Sequence, residues 1–244
     1  MTIYKTRKSA ESYGQAVGIL LLDAKAPFIP GDVANAHTYD YPVIYKTVEG
    51  LSTSVCLNGA PEFNAKMAAA AKELEEAGVR GISSDCGFML QFQAAVREAV
   101  KVPVALSSLL QLPFIAKTVE SSRPIGVITA DSTNLTMDFL ARAGVKVKNP
   151  LIIRGLQNEP EFKTAVLEEK GTLDSDLITE ETIRCAKDMV KQHPTMGAIL
   201  LECSMLPPYA RAVQEAVNLP VYDFISMIDY MQSGTQQHAY QGVY

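Results

Sequence analysis

The stretch "RGISSDCGFMLQFQAAVREAVKVPV" at residues 80 to 104 returns as "GAILLECSMLPPYARAVQEAVNLPV" at residues 197 to 221. A constant offset of 117 residues, the step from Cys86 to Cys203, aligns the two without a gap. Ile82 meets Ile199, Asp85 meets Glu202, Val96 meets Val213, and Pro103-Val104 meets Pro220-Val221. The string Glu98-Ala99-Val100 meets Glu215-Ala216-Val217. A second pair, "VGILLLDA" (17 to 24) and "IGVITADS" (125 to 132), aligns at an offset of 108 residues. Self-similarity of this kind marks a repeated structural unit. It divides the chain into a first half over residues 1–115 and a second over 116–223, with the C-terminal helix 224–244 free to pack back on the first.

Apolar runs of strand length alternate with segments of helical period along the rest of the chain. Strands are expected at 16–23, 42–50, 52–59, 79–85, 102–107, 124–130, 145–153, 197–202 and 219–224. Helices are expected at 60–78, 88–100, 109–120, 132–143, 159–169, 176–193, 206–217 and 224–232. Short apolar strands separated by helices imply parallel sheets covered on both faces, so the fold class is α/β.

Composition narrows the function. The chain has 244 residues, 48% hydrophobic and 20% charged, which excludes disordered, collagen-like and disulfide-scaffold classes. Net charge is -5 and the basic residues (Arg7, Lys8, Lys46, Lys117, Arg123, Lys146, Lys148) are scattered, so no footprint for nucleic acid exists. No stretch reaches the ~18 apolar residues of a membrane span, and the N-terminus "MTIYKTRKSAESYG" has no apolar region behind its basic residues. A cytoplasmic protein is expected. The four cysteines (Cys56, Cys86, Cys185, Cys203) form no C-x-x-C pair and the three histidines stand at no metal-ligand spacing, so neither a disulfide framework nor a metal is expected. No G-x-G-x-x-G or Walker sequence marks a cofactor, and none is expected.

A lone cysteine at a strand end reads as core, since free cysteine is among the most buried residue types. Two at equivalent ends of equivalent strands read differently. Ligands bind outside the carboxyl ends of strands in open parallel sheets, so Cys86 and Cys203 would face each other across a cleft between the halves. A base and an acid on opposite sides of a flat intermediate can move a proton from one face of a carbon to the other. Two thiols, one ionised, meet that need, with N–H groups at the strand ends holding a substrate carboxylate.

The motifs "SSDCGFMLQFQ" and "LLECSMLPPYA", with "PVALSSLLQLP" and "PIGVITADSTNLT", resemble the aspartate/glutamate racemase superfamily. That superfamily also holds hydantoin racemases, arylmalonate decarboxylases, maleate isomerases and an algal dimethylsulfoniopropionate lyase. The resemblance spans essentially the whole chain. It implies two pseudo-symmetric Rossmann-like halves, an active site between them, no cofactor, and a homo-oligomer, often a dimer. Cys86 and Cys203 match the two catalytic cysteines. Ser107, Ser108, Thr129, Asp131 and Ser132 fall where the family holds the substrate's polar groups, and Asp23 falls near its early acidic position. Glutamate racemases carry Asn-Thr and Thr-His after their cysteines, whereas this chain has Gly87-Phe88 and Ser204-Met205. All four are expected at the substrate; Phe88 and Met205 make the pocket's edge more apolar, and the absent histidine removes an auxiliary acid/base group.

The leading expectation is therefore a cofactor-independent isomerase, a racemase or epimerase of a small carboxylate-bearing substrate such as an amino acid. The alternatives are a lyase, decarboxylase or cis-trans isomerase on the same scaffold, and a non-catalytic small-molecule binder. Asp85 and Glu202 stand open between bonding a neighbouring loop and tuning the thiols. For Ser107-Ser108 and Asp131-Ser132, helix capping accompanies substrate binding as a reading. The loop "DAKAPFIPGDVANAHTYDYP" (23 to 42) has the length of a lid, with Asp32, Asn35 and His37 read as surface polarity. Cys56 and Cys185 have no cysteine equivalents at the 117-residue offset and are read as packing residues.

Overall fold

The computed structural model describes residues 3–6, 12–240 and 242, so Arg7, Lys8 and the extreme C-terminal residues lie outside the described residues. The first half carries β1 (Val17–Leu21), β2 (Val43–Thr47), β3 (Gly81–Ser84) and β4 (Val104–Ala105), and the second carries β5 (Ile125–Thr129), β6 (Leu151–Gly155), β7 (Ala198–Leu201) and β8 (Val221–Tyr222). They form two parallel sheets in the orders β2-β1-β3-β4 and β6-β5-β7-β8. The strand registers repeat the sequence offsets. Val17 pairs with Val43 and Gly81, and the equivalent Ile125 pairs with Leu151 and Ala198. Ile82 pairs with Val104 as Ile199 pairs with Val221.

The helices are α1 (Thr53–Leu57), α2 (Asn64–Ala77), α3 (Gln93–Ala99), α4 (Leu112–Thr118), α5 (Met137–Arg142), the single turn α6 (Pro160–Phe162), α7 (Ser175–Gln192), α8 (Ala210–Val217) and α9 (Phe224–Thr235). Each half places a glycine in its first strand where a side chain presses on the sheet. A Cβ at Gly18 would stand 3.0 Å from Leu74 Cδ1 of α2, and one at Gly126 would stand 2.9 Å from Met189 Cε of α7. Such close approach is what glycine inside a strand permits.

One expected strand is a helix. Residues 52–59 hold α1, whose start is capped by the Ser52 hydroxyl accepting the Val55 N–H at 3.4 Å. The reason is topological: a parallel strand needs a crossover of a dozen or more residues, and only residues 48–51 separate β2 from this segment. The strand expected from 145 begins at Leu151, and the helix expected from 132 begins at Met137. The helices after Cys86 and Ser107 open with 3-10 turns, Gly87–Phe92 and Ser108–Gln111.

The halves are not separate bodies with a thin join. A single apolar cluster contains Leu20, Ile82, Phe88, Leu106 and Ile115 from the first and Ile125, Val127 and Leu200 from the second. The last helix returns to the first sheet, where Phe224, Met227 and Ile228 of α9 pack on Ala16, Val17 and Ile19. A capping box sets its start: the Asp223 carboxylate accepts the Ser226 N–H at 2.8 Å and the Ser226 hydroxyl accepts the Asp223 N–H at 2.9 Å. Among the described residues no helix is long and apolar enough to cross a membrane.

Phe224 is fully buried in this contact. Phe224→Ala should lower stability by about 3–5 kcal/mol, read as a lower urea midpoint with the slope unchanged.

Candidate active site

The two cysteines stand where chain geometry places ligands, just past the carboxyl ends of β3 and β7. Buried Ser84 leads into Asp85 and Cys86, and buried Leu201 leads into Glu202 and Cys203. Both cysteines line one cleft between the halves, together with Gly87, Phe88, Ser204 and Met205. Two serine hydroxyls lock the seam beneath it. Ser204 of the second half donates its hydroxyl to the Asp85 carbonyl of the first. Ser108 of the first donates to the carbonyls of Leu201 and Glu202 at 3.2 and 3.1 Å.

The acids before the cysteines are buried and are held in matching ways. Asp85 Oδ1 accepts the N–H of Leu22 at 2.9 Å. Glu202 is bonded by the N–H of Ala130, the residue 108 positions on from Leu22, and its Oε2 accepts the Thr129 hydroxyl at 2.7 Å. Each carboxylate thus ties its strand to the loop after the first strand of its own half. Burial pushes each up to about 7, against the lowering effect of these bonds. Glu202 Oε1 has no hydrogen-bond partner. It lies where a side chain on Gly87 would begin, since a Cβ there would overlap it and stand 2.8 Å from the Glu202 carbonyl oxygen. Gly87 is therefore required by contact with the other half rather than by its own backbone angles.

The thiols are raised well above their ordinary range in the empty cleft. For Cys86 the causes are the hydrogen bond with Cys56, which makes the second ionisation of that touching pair the harder one, then burial, and the nearby Glu202 and Asp85 carboxylates. For Cys203 they are burial and Glu202, opposed by the N–H of Met205. A third acid, Glu169, sits at the cleft wall with φ +50, accepting the Lys25 N–H at 2.9 Å and the Thr53 hydroxyl at 2.7 Å. It straps the second half to the first. Among the described residues, no Lys, Arg or His side chain lines the cleft.

The residues expected from the sequence separate into two groups. Gly87, Phe88, Ser204 and Met205 line the cleft with the cysteines. Asp23, Ser107, Ser108, Thr129, Asp131 and Ser132 are bonded elsewhere. Asp23 accepts the Gly50 N–H, Ser107 caps the turn at Leu109, and Thr129 holds Glu202. Asp131 caps its own turn through Thr133, and Ser132 bonds Gln157. Asp32 is not surface polarity: it is 1% exposed, its Oδ2 lacks a partner, and burial pushes it up to about 8. The loop that carries it folds inward, with the Val33 N–H reaching the Ser204 carbonyl at 3.4 Å and Phe28 lining the cleft.

Sequence reasoning missed Thr53, Leu57 and Glu169 in the cleft wall and Cys56 behind it. Reading α1 as a strand hid the first two and Cys56. The signal for the helix was Ser52, a favoured capping residue, standing at its start.

No family model matches the chain. A dimethylsulfoniopropionate lyase of Durusdinium sp. clade D is 34% identical over 226 residues, which cover 90% of this chain and 74% of that protein. The chain belongs to the dimethylsulfoniopropionate lyase family. Dimethylsulfoniopropionate lyase 3 of Emiliania huxleyi (strain CCMP1516) is 32% identical over 238 residues, covering 93% of this chain but 62% of that protein, so the chain spans under two thirds of this relative's length. Among solved structures, a glycine-to-cysteine mutant of arylmalonate decarboxylase shares the fold with a TM-score of 0.61 at 18% identity, covering 91% of this chain and 94% of that one. Allantoin racemase from Pseudomonas fluorescens shares it at 0.54 and 15% identity, covering 89% of each chain. This two-half fold is that of the aspartate/glutamate racemase superfamily, as the cysteine motifs implied.

The isomerase expectation is overturned. The similar sequences are named lyases, and the racemases are similar in fold alone. The cleft agrees with this: among the described residues no Lys, Arg or His side chain lines it to pair with the second carboxylate of an acidic amino acid.

Asp32, Asp85 and Glu202 all hold protons in the folded chain that the unfolded chain releases at ordinary carboxylate pH. Stability from these groups is full below about 4 and is lost as pH rises through about 7 to 8. The urea midpoint should therefore fall between pH 5 and pH 8, and Glu202→Gln, which cannot ionise, should flatten that fall. An unchanged slope in the variant would refute the assignment.

Proposed function

We propose that this chain is a lyase that eliminates a dialkyl sulfide from a sulfonium propionate, with Cys86 and Cys203 at the reacting carbon. Dimethylsulfoniopropionate, the compound in the relatives' name, is the substrate proposed here. It carries a carboxylate at one end and a permanently cationic sulfur two carbons away. A thiolate takes a proton from the carbon beside the carboxylate, and the freed electron pair forms the carbon–carbon double bond. The bond from the next carbon to sulfur breaks, and its electrons leave with the sulfur. The products are acrylate, neutral dimethyl sulfide and the proton on the thiol. The sulfide leaves without protonation, so the second thiol stays protonated and donates to the substrate carboxylate as charge grows there.

The cleft's acid lining carries this reading. Among the described residues acids line it without a basic side chain, and a bound cation favours ionisation of Asp85 and Glu202, which burial raises to about 7 in the empty cleft. A sulfonium beside the sulfurs also favours the thiolate, countering the burial that raises both thiols in the empty cleft. The substrate activates its own base. The carboxylate end meets the chain as it turns after each cysteine, where the first N–H groups have no acceptor one turn earlier. Phe88, Met205 and Phe28 give the S-methyl groups apolar contact.

Incubation with dimethylsulfoniopropionate should release dimethyl sulfide to the headspace and acrylate to solution in equal amounts. Cys86→Ser and Cys203→Ser should each lower kcat by about 10²- to 10⁴-fold without changing Tm. The neutral thioether analogue, 3-(methylsulfanyl)propionate, should not be cleaved. Hydrogen exchange or carbon dioxide release without sulfide would reject the reading.

A further inference from the structure

Cys56 is fully buried in the apolar cluster that the halves share. It lies on α1, and its Sγ stands 4.0 Å from Cys86 Sγ. Gln91, on the turn that follows Cys86, fixes it there. Gln91 Nε2 donates to the Cys56 carbonyl at 3.0 Å and to the Phe88 carbonyl at 3.0 Å, and it stands 3.8 Å from Cys56 Sγ. Gln91 Oε1 accepts the Ala60 N–H at 2.8 Å, which anchors the far end of the same loop. One amide thus joins the segment bearing Cys56 to the turn bearing Cys86. The second half has no such device. At the 108-residue offset that relates β2 to β6, Cys56 falls on Thr164, whose hydroxyl is committed to the Pro160 carbonyl.

We propose that Cys56 is a positioning residue for the elimination: its sulfur shares one proton with that of Cys86, so that Cys86 takes the substrate's proton as half of a two-thiol unit. The proposal rests on the lyase reading above. When one of two touching thiols ionises, the other donates its S–H to the charge, which makes the first ionisation of the pair easier and the second harder. The groups that face Cys86 otherwise oppose its ionisation. Asp85 precedes it, Glu202 reaches it from the other half, and Cys203 lines the same cleft. Gln91, facing Cys56, is neutral. The pair begins a turnover with one proton, holds two once the substrate has given up its own, and returns one to water after the products leave. A racemase returns its proton to the substrate; a lyase yields one at every turnover, and a thiol pair accommodates it.

The test follows alkylation of Cys86 by iodoacetamide against pH, read on its peptide by mass spectrometry, alongside the pH dependence of kcat/KM for sulfide release. Cys56→Val keeps the volume and removes the donor; Cys56→Ser keeps a donor; Cys185→Ala is the remote control. In Cys56→Val the Cys86 midpoint should rise by about one pH unit, a tenfold slower alkylation at a fixed pH below it, and the acid limb of kcat/KM should move with it. Cys56→Ser should recover most of that shift, and Cys185→Ala should match the parent. A Cys56→Val protein that titrates like the parent, or Val and Ser variants that shift alike, would overturn the proposal. Failure to release sulfide from any sulfonium propionate would sink the lyase reading, while alkylation would still decide the thiol pair.

Discussion

Two carboxylates are buried where the halves meet, and the rest of the site is arranged around that fact. A buried carboxylate destabilises a fold unless bonded, and these two are bonded to the loop that follows the first strand of their own half. The backbone beside them is gripped from the opposite half, by Ser204 on the Asp85 carbonyl and by Ser108 on the Leu201 and Glu202 carbonyls. The cysteines that follow are placed by the same grips. Neither half alone contains the cleft, and the shared apolar cluster beneath it keeps the geometry from drifting.

The same burial explains why one scaffold serves different chemistry. Two thiols at strand ends are a general device for handling a proton next to a carboxylate. What the substrate carries at its other end is judged by the surrounding wall, here apolar side chains with three acids and, among the described residues, no base. The likeness to decarboxylases and racemases at 13–18% identity is one of scaffold, and the lyase-named relatives share far more of the sequence.

The repeat was readable because strand registers are rigid. Val17 and Ile125, Gly81 and Ala198, and Val104 and Val221 occupy equivalent rungs, so the 108- and 117-residue offsets in the chain became offsets in space. The segments that broke from expectation were those whose form depends on neighbours. Residues 52–59 alternate like a strand but have no room to cross over to a parallel position, and so they coil into α1. Asp32 looks like loop polarity until Val33 pins the loop to Ser204. Cys56 stood out as lacking an equivalent in the repeat, but its contact with Cys86 depends on α1 coiling where a strand was expected. Gly87 was visible as a departure from the racemase motif, but its cause, the Glu202 carboxylate arriving from the other half, lay 115 residues away in the chain.

Glu169 gives the cleft a mechanical property. One carboxylate grips a backbone amide at Lys25 and a hydroxyl at Thr53, so a gap cannot widen at that wall without breaking two attachments at once. Because both attachments end on a single side chain, they let go together. One residue therefore holds two separate segments of the first half against the second, and removing that single carboxylate would free both of them.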